Sequence, residues 1–91
     1  MSEHVAKLKN TIRDLEAELG SLSTVDAETR RLLEEAVSEI QAAMHRDDRS
    51  PLQSRPLIDT LETLAQRLES SHPALVGILT RMLDVLGRMG I

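Results

Sequence analysis

The sequence predicts an all-α fold of four helices, arranged as two antiparallel hairpins in a bundle or coiled-coil-like domain. Apolar residues recur at alternating steps of three and four in separate stretches, as they do on one face of a helix. The chain of 91 residues contains no Phe, Tyr or Trp, so its core must consist of Leu, Ile, Val, Met and Ala. These residues are mostly compatible with helices. The predicted helices lie near residues 3–19, 26–45, 56–69 and 73–89 of a single domain.

The first helix is predicted from a narrow apolar stripe with strict three–four spacing. This stripe comprises Val5, Leu8, Ile12, Leu15, Leu19 and Leu22. The pattern is typical of a coiled-coil seam, but packing inside the chain's own bundle produces the same spacing, so both interpretations stay open. Ser2 is a suitable N-cap, and Gly20 is expected to end the helix in a left-handed conformation.

The second helix is predicted to begin after Thr24 or Asp26 and to extend to about His45, because either residue suits an N-cap. Its apolar stripe comprises Leu33, Val37, Ile40 and Met44. The connection from the first helix is short. We therefore expect the first two helices to be antiparallel neighbours.

Residues 46–55 are predicted to be a flexible linker, because prolines and a cluster of charges interrupt every apolar period there. His45, Asp47 and Asp48 are close in sequence and resemble a set of metal ligands. They lack the oxygen spacing and the glycine of a calcium loop, however, and no second histidine follows at helical spacing. We therefore expect no metal site and no cofactor.

The third and fourth helices are predicted to be separated at Pro73. Pro56 favours the start of the third helix, because proline is well tolerated in a first turn. Pro73 lacks a backbone donor and disfavours helical backbone at His72, which favours a break. The three–four register nevertheless continues across Pro73, so one long helix with a kink is the alternative.

The fourth helix is the predicted surface for self-association. Between Leu75 and Met89 only three residues are charged, and a helix that is apolar over most of its circumference must be covered on several sides. Glycines within this helix are expected where another backbone approaches closely. The chain is short and its own core is thin, so we expect a homo-oligomer, with a symmetric dimer favoured. The predicted interface comprises Leu75, Gly77, Leu79, Met82, Leu86 and Met89.

The final residues are predicted to form a Schellman-type cap on the fourth helix. Gly90 would adopt the left-handed conformation, and Ile91 would pack back onto Leu86. A disordered tail is the alternative.

His72 is the residue that most resembles part of a catalytic site, because it follows Ser70 and Ser71. Adjacent positions in sequence do not make a catalytic triad, however, and no motif places a carboxylate where it could orient the ring. We expect His72 to cap a helix or pack at a corner. We predict no catalytic residues, and the protein is not expected to be an enzyme.

Two segments resemble a known family. Leu68-Glu69-Ser70-Ser71-His72-Pro73-Ala74-Leu75 and the ending Met89-Gly90-Ile91 are similar to the small bacterial family called domain of unknown function 4404. Its members typically carry a Glu-x-Ser-His-Pro segment and a Met-Gly-Ile-like terminus. The resemblance implies a short helical protein. It implies no activity and no site residues, because the family has no assigned function.

The composition narrows the classes of function. The net charge is −4, and an acidic chain without aromatic residues is a poor nucleic-acid binder. There is no cysteine, no basic and apolar leader, and no apolar run long enough to span a membrane, so we expect a cytoplasmic protein. We predict a self-associating protein-interaction module whose protein partner is unknown. A peripheral membrane-surface protein with an amphipathic helix is the alternative, although the acidic balance argues against it.

Overall fold

A computed structural model describes residues 3–46 and 50–89, apart from the side chains of Gln53 and Met89. These residues form four α-helices and no strand. The helices are α1 (Glu3–Ser21), α2 (Ala27–His45), α3 (Arg55–Leu68) and α4 (Pro73–Met89), and a short 3₁₀-helix spans Pro51–Gln53. The predicted all-α class with four helices is confirmed.

The order in which the helices pack differs from their order in the chain. The most extensive packing of α1 is against α4, and α4 also packs closely against α3. The main helical partner of α2 is α3, whereas α1 and α2 approach each other over only a short stretch. The α1–α2 hairpin expected from the short connection is therefore the weakest side of the bundle. The reason is that α4 is apolar widely enough to be covered by α1 on one flank and by α3 on the other.

The core is aliphatic, and every helix contributes to it. Its largest fully buried side chains are Leu8, Leu15, Leu33, Ile40, Leu52, Leu61, Leu64, Leu75, Leu79, Met82 and Leu86. The only buried polar residues in the described part of the chain are Thr11 and Thr29. Each has a hydrogen bond, from Thr11 Oγ1 to the Lys7 carbonyl oxygen (2.8 Å) and from Thr29 Oγ1 to Asp26 Oδ2 (3.0 Å). The core therefore contains apolar side chains and two satisfied hydroxyl groups.

The predicted linker contributes a side chain to this core. Leu52, in the 3₁₀-helix, is only 1% exposed, and the 3₁₀-helix packs against α2, α3 and α4. Pro51 begins this turn, which closes with a hydrogen bond from the Ser54 amide to the Pro51 carbonyl oxygen (3.3 Å). This anchor could not be predicted from the sequence, because a single apolar residue between prolines and charged residues shows no helical period.

The end of α1 also differs from the prediction. Gly20 is helical and is not in the left-handed conformation, and α1 continues to Ser21. The terminal carbonyl groups are instead bound by a side chain of the next helix. Arg30 Nη1 donates to the Leu19 carbonyl oxygen (3.1 Å), and Arg30 Nη2 donates to that of Leu22. A cation therefore caps the negative end of α1, so no glycine turn is needed.

The predicted break at Pro73 is confirmed. The helix α3 ends at Leu68, and α4 begins at Pro73. The Leu68 carbonyl oxygen accepts hydrogen bonds from the amides of Ser71 (3.2 Å) and His72 (2.8 Å), which turns the chain between the two helices. The predicted caps at Ser2 and at Gly90–Ile91 lie outside the described residues.

Candidate functional site

The predicted interface on α4 is largely part of the chain's own core. Leu75, Leu79 and Met82 are fully buried, and Leu86 is 1% exposed. A second chain could reach these four side chains only if the bundle opened, so they belong to the core of the single chain and not to an outer interface. Their spacing identified a buried face, but periodicity does not show what covers that face. In this protein α1 and α3 cover it.

The glycines of α4 lie on the outside of the bundle. Gly77 and Gly87 are exposed, and a Cβ atom added to either would meet no heavy atom within 4 Å. The close backbone approach expected from these glycines is therefore not present within the chain. Of the predicted interface residues, Gly77 is at the surface, and the side chain of Met89 lies outside the described part.

Four apolar side chains on α3 and α4 remain half-buried after the core is complete. They are Ile58 and Ala65 on α3 and Val76 and Leu83 on α4, and all four pack against the core. Each pair is separated by seven residues, which is about two helical turns, so each forms a stripe along its helix. The seven-residue spacing within each pair is the sequence signal that could have identified this second surface.

The contacts between α3 and α2 show on which side of α3 the stripe lies. That flank faces α2, where Arg67 Nη1 lies 3.8 Å from Glu28 Oε1. Thr60 and Arg67 also line a surface groove with Leu32 of α2. Because successive residues advance by about 100°, Ile58 and Ala65 lie on the other flank of α3. That flank is the one next to α4.

The α4 stripe is placed by the same reasoning. Arg81 Nη2 lies 3.5 Å from Asp14 Oδ2 of α1, which identifies the flank of α4 that faces α1. Val76 and Leu83 lie far around the helix from Arg81, on the flank next to α3. The stripes of the two helices therefore run side by side. We call the surface formed by Ile58, Ala65, Val76 and Leu83 the α3–α4 seam.

His72 joins the two loops at one end of the bundle. Hydrogen bonds link His72 Nε2 to Thr24 Oγ1 (2.8 Å) and His72 Nδ1 to Ser71 Oγ (3.0 Å). The His72 carbonyl oxygen also accepts from the amides of Leu75 (3.0 Å) and Val76 (3.2 Å), at the start of α4. The ring and the backbone of His72 thus fix the α1–α2 loop to the first turn of α4.

The chemistry around His72 favours a structural role. Both ring nitrogens contact hydroxyl groups, and a hydroxyl group can donate to or accept from either form of the ring. No carboxylate in the described part of the chain is hydrogen-bonded to the ring. The described residues also contain no group of three His, Cys, Asp or Glu side chains that could hold a metal ion. The geometry matches the corner-packing role expected for this histidine.

Asp26 caps α2 at the same end of the bundle. Asp26 Oδ1 accepts from the Thr29 amide (2.7 Å), and Asp26 Oδ2 accepts from the Thr29 hydroxyl (3.0 Å). These two hydrogen bonds favour the charged carboxylate, and they hold the pKa of Asp26 below its usual value. The predicted N-cap is therefore present, and its strength depends on pH.

We expect the cap to lose its effect in acid. Because the folded-state pKa of Asp26 is lowered, its contribution to stability is complete above the usual pKa of about 3.9 and is lost as the pH falls through the folded-state value. In thermal unfolding followed by far-UV circular dichroism, replacing Asp26 with alanine should lower the midpoint at pH 7. The difference in midpoint between the Asp26→Ala variant and the unaltered protein should become smaller as the pH falls below about 5. An equal difference at every pH would contradict this prediction. The Asp26→Asn variant, which caps without charge, is the control.

Comparison with known proteins identifies the family. A family model described as Domain of unknown function (DUF4404) matches residues 8–91, which include most of α1 and all of the other three helices. No curated protein and no solved structure matches the chain. None of the helices in the described part is sufficiently long and apolar to cross a membrane. The match covers most of the sequence, and the chain therefore belongs to the family Domain of unknown function (DUF4404).

Proposed function

We propose that the protein is a non-enzymatic, cytoplasmic protein-interaction module that acts by self-association, as a symmetric dimer formed through the α3–α4 seam. The observation that carries this proposal is that the seam remains half-open while the core beneath it is closed. Isolated apolar residues are common on protein surfaces, but stripes aligned on two neighbouring helices are characteristic of a helix-packing surface.

The seam suits a second copy of the same chain. A two-fold axis parallel to the helices places α3 of one copy over α4 of the other, so each apolar stripe meets the stripe of the other kind. Thr80 and Gly87 lie beside the α4 stripe, and both are exposed. Their small size leaves room for the partner chain, in which Glu62 of α3 and Glu69, directly after α3, occupy the corresponding margin. The partner's α3 would therefore cover Thr80 and Gly87 without meeting a bulky side chain of α4 at these two positions.

We expect the Leu83→Glu variant to weaken the dimer at least about tenfold, because dimerisation would bury an unpaired carboxylate. Leu32→Glu is the matched control, since Leu32 is also a half-buried leucine but lies on the α2–α3 side. Sedimentation velocity with interference optics measures the mass, because the chain contains no aromatic residue that absorbs near 280 nm. A monomeric parent protein at every concentration would contradict self-association. A dimer retained by Leu83→Glu would contradict the seam.

The two glycines of α4 provide a second matched pair. Both are exposed with open space around them, but only Gly87 lies beside the seam, whereas Gly77 points away from it. Replacing Gly87 with leucine should weaken the dimer through steric overlap with the partner. Replacing Gly77 with leucine should leave the mass unchanged. A Cβ atom at either position has open space around it, so we expect both substitutions to be compatible with the fold of the single chain.

Liposome flotation distinguishes this proposal from the membrane-surface alternative. The exposed face of α4 carries Arg81, Asp84 and Arg88, and Arg88 Nε lies 3.0 Å from Asp84 Oδ2. A mixed-charge face of this kind does not favour insertion among lipid chains. The protein should therefore remain in the bottom fraction with both neutral and anionic vesicles.

A further inference from the structure

A cleft of about 590 Å³ opens between α1 and α2. It is lined by Lys9, Ile12, Arg13, Glu16, Gln41, Met44 and His45. The cleft exists because α1 packs mainly on α4 and α2 on α3, which leaves the side between α1 and α2 incompletely closed. Its volume lies within the range of about 300–1,000 Å³ that is usual for small-ligand sites. The cleft and the α3–α4 seam share no residue, so the two surfaces can be tested separately.

The cleft combines an apolar floor with a mainly cationic wall. Ile12 is nearly buried and Met44 is half-buried. Lys9 and Arg13 are exposed on the α1 side, and among the described residues that line the cleft Glu16 is the only carboxylate. The aliphatic stems of Lys9 and Arg13 extend the apolar surface, while their charged ends stay at the opening. This concentration of positive charge contrasts with the net charge of −4 of the whole chain.

The order of the lining residues gives the cleft a direction. Lys9 and His45 line it at the end away from the α1–α2 loop, and Glu16 and Gln41 line it nearer the loop. Lys9 and Glu16 are seven positions apart on α1, which corresponds to about 10 Å. A negative group therefore fits best at the Lys9 end, where Arg13 is one turn away, and an apolar chain fits over Ile12 and Met44.

We propose that this cleft binds a free medium-chain carboxylate, a fatty acid of about eight to ten carbons, whose length matches the distance of about 10 Å between the Lys9 and Glu16 ends of the cleft. The carboxylate accepts hydrogen bonds from Lys9 and Arg13. The hydrocarbon chain lies across Ile12 and Met44 and points toward the loop. The carboxylate of Glu16 repels the head group from the inner end and so fixes this direction. The recessed floor, reached between two helices, selects the free acid rather than a lipid within a bilayer.

Isothermal titration of the full chain with decanoate, below the concentration at which it forms micelles, tests the proposal. We expect saturable binding to one site per chain, and a Kd that rises about fivefold in the Lys9→Gln/Arg13→Gln double variant, as the loss of two exposed charge contacts implies. Lys7→Gln is the matched control, because Lys7 is an exposed lysine of the same helix that does not line the cleft. Decanol, which has no charge, should bind more weakly than decanoate.

Two results would overturn this assignment. One is the absence of saturable binding to the parent protein, and the other is an equal effect of the Lys7 and Lys9/Arg13 substitutions. Methyl resonances measured with and without decanoate give an independent readout of location. Those of Ile12 and Met44 should move, whereas that of Leu83 on the α3–α4 seam should not. Shifts confined to Leu83 and its neighbours would place the ligand on the seam and would exclude the cleft.

Discussion

Replacing Leu52 with alanine should lower the free energy of unfolding by about 2–5 kcal/mol, the usual cost of truncating a buried leucine. Leu52 is 1% exposed and is held between α2, α3 and α4 by the 3₁₀-helix. Its removal would leave a cavity at the point where three helices meet. A domain of this size has a total stability of about 5–15 kcal/mol, so the loss would be a large share.

Urea unfolding followed by circular dichroism at 222 nm measures this effect. Leu79→Ala is the comparison within a helix, because Leu79 is also fully buried and should give a similar loss. Leu22→Ala is the control for a leucine in a loop that is only half-buried, and it should cost less. A Leu52→Ala variant that loses less stability than Leu22→Ala would show that the segment 51–53 is not part of the core.

Replacing Arg30 with methionine should cost about 1–3 kcal/mol, because hydrogen bonds from a charged group to one carbonyl in the last turn of α1 and one just after it are lost. Arg30 is half-buried and donates to the carbonyl oxygens of Leu19 and Leu22. Methionine keeps much of the side-chain volume and removes the donors, so the change isolates the cap. The helix α1 should fray at Gly20 and Ser21 and detach its end from α2.

The adjacent arginine is a matched control. Arg31 Nη1 lies 2.7 Å from Glu35 Oε2. Both side chains are exposed to solvent, 59% for Arg31 and 61% for Glu35. An exposed pair within one helix is worth less than about 0.5 kcal/mol, so Arg31→Met should change the stability very little. Amide hydrogen exchange at residues 19–22 should increase in the Arg30 variant and not in the Arg31 variant. Equal effects of the two substitutions would contradict the capping role.

Local features of the fold could be predicted from the sequence because their causes are local. Asp26 was one of two predicted caps for α2, and the side chain needs only the amide of Thr29, three residues later. The break at Pro73 follows from the missing backbone donor of proline. The apolar stripes identified the core faces of all four helices. Each of these signals depends on residues within about one helical turn.

Features that depend on distant residues could not be predicted in this way. The stripe of Leu75, Leu79, Met82 and Leu86 indicates burial, but the same spacing would occur at a dimer interface. The sequence does not indicate that Arg30 reaches another helix, whereas in the structure it caps α1. The ring of His72 contacts Thr24, which is 48 residues away. In each case the chemistry of the residue was evident, but its partner is determined by the tertiary arrangement.

The pairing of α1 with α4 has a consequence for how the chain folds. These two helices are separated in sequence by α2 and α3, so α1 cannot bury its apolar face until α4 has also been synthesised. Contacts between distant segments slow folding, because the intervening chain must be closed into a loop first. The segment from α2 to α3, which includes the 3₁₀-helix, has nearby partners and can form earlier. On the ribosome α1 would therefore remain exposed until α4 has left the exit tunnel, and this interval is when the nascent chain is most open to chaperones and to aggregation.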